Sequence, residues 1–154
     1  MHNPIWFGRR YPSVADLEEF AMTMRTLVVR DPIIPAAYIG QVPHPGYSVI
    51  LIPQGLDNLD ECWQLAHELG HLVLHPGGYI SEWTYRKQEA QATRWAAQAL
   101  IPEAAVRRHR NACQDAFIAA LSAHFGDIPL RDCPQRRLAA EIAAVRLRVM
   151  EEVA

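Results

Sequence analysis

The sequence predicts an α+β fold that is mainly helical, with a small antiparallel sheet of about three strands beside one central helix. Three observations carry this expectation. Apolar residues recur every three or four positions over most of the chain, as helices with one buried face require. Two short runs rich in β-branched and aromatic residues, 37–42 and 47–52, flank the turn-rich segment Pro43-His44-Pro45-Gly46, the pattern of a hairpin. No proline interrupts 59–75, and that stretch contains His67-Glu68-Leu69-Gly70-His71.

Taken in order, Ser13 and Asp16 form a capping box ahead of a stripe made by Val14, Leu17, Phe20, Ala21, Met24, Leu27 and Val28. A helix over about 14–30 follows, ended by Pro32 and Pro35. The hairpin of 37–42 and 47–52 comes next, then a loop at 54–58 and the helix of 59–75, which Pro76-Gly77-Gly78 stops. An Ala- and Gln-rich helix is expected from about Tyr85 to Leu100. Three more follow at about 103–110, 112–125 and 134–152, the last opened by Pro134 and buried along Leu138, Ile142, Val145 and Val149. The length fits one domain over 1–154, with a core at about 13–102 and a C-terminal helical part at about 103–154.

Composition narrows the function classes. Half of the 154 residues are apolar and 21% are charged, which fits a packed globular protein and excludes a disordered one. A net charge of −2 supplies no general attraction to nucleic acid or anionic lipid. No apolar run reaches the length of a membrane span, and Met1-His2-Asn3-Pro4 lacks the basic and apolar segments of a leader, so a cytoplasmic protein is expected. Cys62, Cys113 and Cys133 form no C-x-x-C pair and read as reduced thiols; Cys62, five residues before His67, is near enough in sequence to line a site there.

The H-E-x-x-H run is the chemical signal. Residues four apart on a helix share a face about 6 Å apart along the axis, so His67 and His71 can grip one zinc ion. Glu68 points to a neighbouring part of that face, where it can take a proton from a water without ligating the metal. The bland alternative is an amphipathic helix with incidental histidines. Against it stand Leu65, Leu69, Leu72 and Val73, which bury one side, and Gly70, whose helix-interior cost of about 1 kcal/mol suggests a close neighbour.

A hydrolytic zinc site ordinarily has three protein ligands and an open position. The metzincin completion needs a glycine at 74 and a histidine at 77, whereas the chain has Leu74 and Gly77. His75 stands one further turn along the helix, too far from His67 to share a tetrahedral ion easily, and better suited to capping the helix or lining a cleft. Glu89 is favoured, on a following helix that can pack antiparallel, with Ala90, Ala92, Ala96 and Ala97 allowing close approach; Glu82 is the fallback. Candidates for stabilising a developing oxyanion are His75, Tyr79, Tyr85 and His124.

The run His67-Glu68-Leu69-Gly70-His71-Leu72-Val73-Leu74-His75, the Glu-x-x-Ala segment at Glu89, and an Ala-rich helix closing in Ala99-Leu100-Ile101-Pro102 resemble the ImmA/IrrE family of bacterial and phage metallopeptidases. The resemblance covers about 45–102. It implies a zincin-like (gluzincin) domain in a short, single-domain form, and one Zn2+ per chain on His67, His71 and Glu89. It also implies Glu68 as general base, and as substrate a helix-turn-helix transcriptional repressor of a phage, mobile element or stress regulon. Thr93 stands where the family has Asn or Asp, Trp95 where it has Phe, and Ile101 where it has Met.

A second reading makes the protein a binding module, DNA-associated through the C-terminal helices. Arg107-Arg108-His109-Arg110, Arg136-Arg137 and the segment Ala116–Leu121 with Phe125-Gly126 carry it, while Asp115, Asp127, Asp132 and Glu141 interrupt any basic stripe. A third keeps the zinc but replaces proteolysis with partner sequestration, as in a toxin–antitoxin pair.

Overall fold

A computed structural model describes residues 2–42, 46–76, 81–126, 128 and 131–153. Helix α1 (Val14–Thr23) begins at the expected capping box, in which Ser13 Oγ accepts from Asp16 N and the Asp16 carboxylate accepts from Ser13 N. Arg10 adds a two-pronged contact to Asp16 at 2.7 and 3.0 Å, which holds that carboxyl well below the usual carboxylate range.

The helix expected to reach residue 30 ends at Thr23. Arg25 adopts a left-handed conformation, φ 53°, and the chain leaves as strand β1 (Thr26–Asp31). Leu27 and Val28 fit the spacing of the helical stripe, but Thr26, Val28 and Val29 are β-branched and suit a pleated ladder better. Thr26 is buried, while Leu27 and Val29 point outward on the other face of the sheet.

Strands β2 (Tyr38–Val42) and β3 (Tyr47–Pro53) pair antiparallel as the hairpin pattern predicts, Tyr38 opposite Leu51 and Ile39 opposite Ile50. The turn residues 43–45 lie outside the described residues. Three strands form, as expected, but the sheet is mixed. Its order is β1-β3-β2, and β1 runs parallel to β3 with Val28 opposite Ile50. The strand missing from the sequence reading is the one hidden in the supposed helix end. Ile50 and Ile52 on β3 are fully buried against the helices.

Helix α2 (Asn58–Leu74) carries the H-E-x-x-H run, capped at its start by Asp57, whose carboxylate accepts from Asp60 N, and at its end by His75. Its inner face, Leu59, Cys62, Leu65, Ala66, Leu69 and Gly70, is the centre of the core. Helix α3 (Glu82–Leu100) starts a turn earlier than expected because Ser81 caps it, its hydroxyl accepting from Thr84 N. The short α4 (Glu103–His109), α5 (Gln114–Phe125) and α6 (Pro134–Val153) close the far side. Buried Arg146 on α6 donates to Ile101 O at the end of α3. No helix among the described residues is long and apolar enough to cross a membrane.

Helices α2 and α3 pack more intimately than any other pair described, and Gly70 is the reason. A Cβ at that position would lie 3.0 Å from Ala92 O and 3.1 Å from Ala92 Cα. Backbone atoms cannot swing away as a flexible side chain can, so the contact needs both a glycine and an alanine. Gly70→Ala gains about 1 kcal/mol of helix propensity but forces the helices apart, at a cost of about 1–3 kcal/mol. We expect a lower denaturant midpoint for Gly70→Ala than for the wild type; an equal or higher midpoint would show that the helix pair relaxes freely.

Candidate metal centre

Helical spacing aligns His67 and His71 on one face of α2, with ring centroids 4.8 Å apart and planes nearly perpendicular. The close α2–α3 contact sets Glu89 opposite them. Glu89 Oε2 lies 3.1 Å from His67 Nε2, Glu89 Oε1 lies 2.8 Å from His71 Nε2, and the two Nε2 atoms are 3.2 Å apart. One donor atom from each residue falls within 4.8 Å of the others. Ligands about 2.0–2.1 Å from a tetrahedral zinc ion stand roughly 3.3 Å from each other. The three spacings therefore suit an ion of that size, and two imidazoles with a carboxylate suit zinc in kind.

Thr93, one turn beyond Glu89 on α3, presents its hydroxyl 3.4 Å from His67 Nδ1. The four residues sit in the wall of a cleft of about 710 Å3, together with Glu68, His75, Tyr85 and Gln88. Its remaining wall is mostly apolar: Tyr38 and Ile39 from β2, Trp63 and Leu72 from α2, and Pro76 beyond it. Gln64 ties the two sides together, accepting from Ala37 N at 3.0 Å and donating to Asp60 at 3.0 Å.

Electrostatics follow from burial and crowding. Glu68 is pushed up from 4.5 to about 7, chiefly by burial and then by the neighbouring charge of Glu89. His71 is lowered, by burial first and then by His67, although Glu89 pulls the other way. His75 is lowered by burial and by His71. Lowered imidazoles are neutral near pH 7, the form in which a ring nitrogen can ligate a metal.

Not every side chain singled out from the sequence joins the cleft. Glu82 sits at the outer end of α3, mostly exposed and paired with Arg86 at 2.8 Å, away from the cluster. His124 is a packing residue: its ring stacks on Tyr11 at 4.6 Å and its Nε2 lies 3.1 Å from Pro12 O. Cys62 turns into the core, its thiol raised to about 12 by burial, and does not line the cleft. His75 lines the cleft by its ring, while its Nε2 is enclosed and has no hydrogen-bond partner among the described residues. Tyr79 lies outside the described residues. Thr93 stands at the position the family resemblance singled out, whereas Trp63, Tyr38, Ile39 and Gln88 were not expected at the site. Those four needed the tertiary fold.

Three arginines of the basic C-terminal segments are engaged in ion pairs among the described residues. Arg107 pairs with Glu103, Arg136 with Asp115, and Arg137 with Asp132 at 3.5 Å. Phe117, Ile118, Leu121 and Phe125 of α5 are buried in the core, so the segment read as a helix-turn-helix fragment spends its apolar face on packing.

Among known families, residues 31–126 match the Peptidase_M78 model, described as the IrrE N-terminal-like domain. No curated protein and no solved structure matches the chain. The matched stretch begins at the end of β1 and closes at the end of α5, so it takes in the β2–β3 hairpin, both helices of the cluster and the whole cleft wall. It spans well over half of the chain and carries the same run of residues that resembles the ImmA/IrrE metallopeptidases, and the chain therefore belongs to the IrrE N-terminal-like (Peptidase_M78) family.

Proposed function

We propose that this protein is a zinc-dependent endopeptidase, in which His67, His71 and Glu89 hold the metal and Glu68 is the general base. The observation that carries the reading is the convergence of three donor residues, beside a half-buried carboxylate, in the wall of one cleft. Membership of a peptidase family supports a protein substrate. Zinc there would act as a Lewis acid, polarising a carbonyl and making a water acidic enough to lose a proton near neutral pH.

The chain's own residues supply the rest. Glu68, partly desolvated and one residue from His67, takes the proton of the attacking water and later delivers it to the departing amine. Its elevated pKa suits both halves of that task, since a group near the working pH both accepts and releases a proton. The apolar wall of Tyr38, Ile39, Trp63 and Leu72 takes substrate side chains and thins the water around the reacting carbonyl. Tyr85, which lines the cleft with part of its surface exposed, is the residue we assign to the carbonyl oxygen in place of enclosed His75.

For the substrate itself we propose a helix-turn-helix transcriptional repressor of a phage, mobile element or stress regulon. That choice rests on the resemblance of the 67–102 segment to the ImmA/IrrE metallopeptidases, and it implies a cytoplasmic protein.

Purified protein is expected to bind one zinc per chain by elemental analysis. Glu89→Ala should lose it at chelator concentrations the wild type withstands. Glu68→Gln should keep its zinc while repressor cleavage falls by about 10²–10⁴-fold. Zinc-free wild type, or a biological effect that survives Glu68→Gln, would turn the reading towards a non-catalytic binding protein.

The raised pKa of Glu68 also makes a stability prediction for the metal-free protein. Folding favours its protonated form, so its contribution is fully present below about pH 4.5 and disappears as pH rises through about 7. Metal-free Glu68→Gln should therefore match the wild type at pH 4.5 and exceed it by about 2 kcal/mol at pH 8, after allowance for partial exposure. Equal thermal midpoints at pH 8 would show that the carboxylate is not held against its charge.

A further inference from the structure

Strand β1 is an edge of the sheet, since the order β1-β3-β2 leaves one of its sides without a neighbour. Ser48 N donates to Arg25 O at 3.1 Å and Gln54 N to Asp31 O at 2.9 Å, so the odd-numbered residues aim their backbone groups at β3. The alternate residues then face away. Thr26, Val28 and Arg30 thus present three N–H and three C=O groups to the open side, with no backbone partner among the described residues. No proline interrupts the strand, and Leu27 and Val29 are exposed on its outer face. An edge of this kind is a template for another strand.

We infer that β1 pairs antiparallel with β1 of a second copy of the chain, joining two three-stranded sheets into one. Outward-facing residues exchange hydrogen bonds only with outward-facing residues, so even positions must stand opposite even positions. The register centred on Val28 satisfies every group: Val28 faces its own copy, and Thr26 faces Arg30 twice. A shift of two residues sets Thr26 against Pro32, which has no N–H, or Arg30 against Met24, whose N–H already bonds Ala21 O. The same register points to the occupant. On the outer face it sets Leu27 against Val29 of the second copy, and at each end it sets Asp31 against Arg25, opposite charges meeting twice. A two-fold contact requires a surface that complements itself, and this strand does so. Residues 26–31 line no part of the cleft, so pairing leaves the metal site of each copy open. A six-residue edge is small beside the roughly 800 Å2 per partner of a standard interface, and the dimer is accordingly weak and concentration-dependent.

Sedimentation velocity of the full chain over a rising concentration series should show monomer and dimer in equilibrium. Hydrogen exchange at the Thr26, Val28 and Arg30 amides should slow as the dimer forms. Val28→Pro removes the central N–H from both strands, at an outward position where an edge strand accommodates proline. It should weaken association roughly tenfold or more. Arg25→Asp, which suits the left-handed backbone there, and Asp31→Arg each set like charges opposite one another. Each alone should weaken association roughly fivefold. Mixed in equal amounts, the two charge variants should recover most of the wild-type affinity, because each then meets the other's opposite charge. Should Val28→Pro fail to fold, that mixture decides alone. Wild type that stays monomeric up to roughly 1 mM overturns the pairing. So does a dimer indifferent to Val28→Pro, or charge variants that associate no better mixed than apart.

Discussion

The contact of Gly70 against Ala92 is the constraint on which the rest of the site depends. Two histidines four residues apart on a helix align themselves, and that is a property of α2 alone. A third donor must come from elsewhere, and a carboxylate side chain is short. Glu89 reaches both Nε2 atoms because the α2 and α3 backbones approach until no space remains for a Cβ at 70. The alanines of α3 permit that approach, and buried Arg146 holds the end of the same helix through Ile101 O. The cluster is thus set by backbone packing and leaves its side chains little to adjust.

That packing has an electrostatic cost. Two carboxylates, Glu68 and Glu89, are brought near one another in a cleft where burial also disfavours the charged forms of His71 and His75. A divalent cation would offset that cost directly. The two chemically similar groups have different surroundings, one facing the imidazole nitrogens and the other pushed up to about 7 by burial.

Much of this was legible in the residues themselves. The α2 helix and its end follow from the apolar spacing and Pro76-Gly77-Gly78, and the hairpin follows from two β-branched runs about a Pro-Gly turn, whereas the Asp57 cap lies in a stretch that the sequence presents as a loop. Strand β1 was not legible, because Leu27 and Val28 continue a three-and-four spacing that a strand satisfies by accident; the left-handed turn at Arg25 that breaks it is a tertiary outcome. At the site, the choice of Glu89 over Glu82 was open to pattern reasoning, and of the two the geometry brings Glu89 to the histidines. The cleft wall is another matter. Tyr38 and Ile39 come from a strand, Trp63 from a helix two turns before the motif's end, and no local pattern joins them. His124 shows the converse error, a residue suited to chemistry by type but engaged by Tyr11 and Pro12.

The N-terminal segment ahead of α1 has a part that its small size conceals. Asn3 accepts from the Trp95 indole on α3, a link across 92 positions, and Pro12 meets His124 across 112. The contacts described among His67, His71, Glu89 and Thr93, by contrast, span 26 positions or fewer. Closing a longer loop costs more entropy, about 0.6 kcal/mol for each doubling of its length, so the two N-terminal ties are the costlier ones to close. Residues 3–12 thus fasten α3 to α5 from outside the cluster, at points that no local sequence pattern marks.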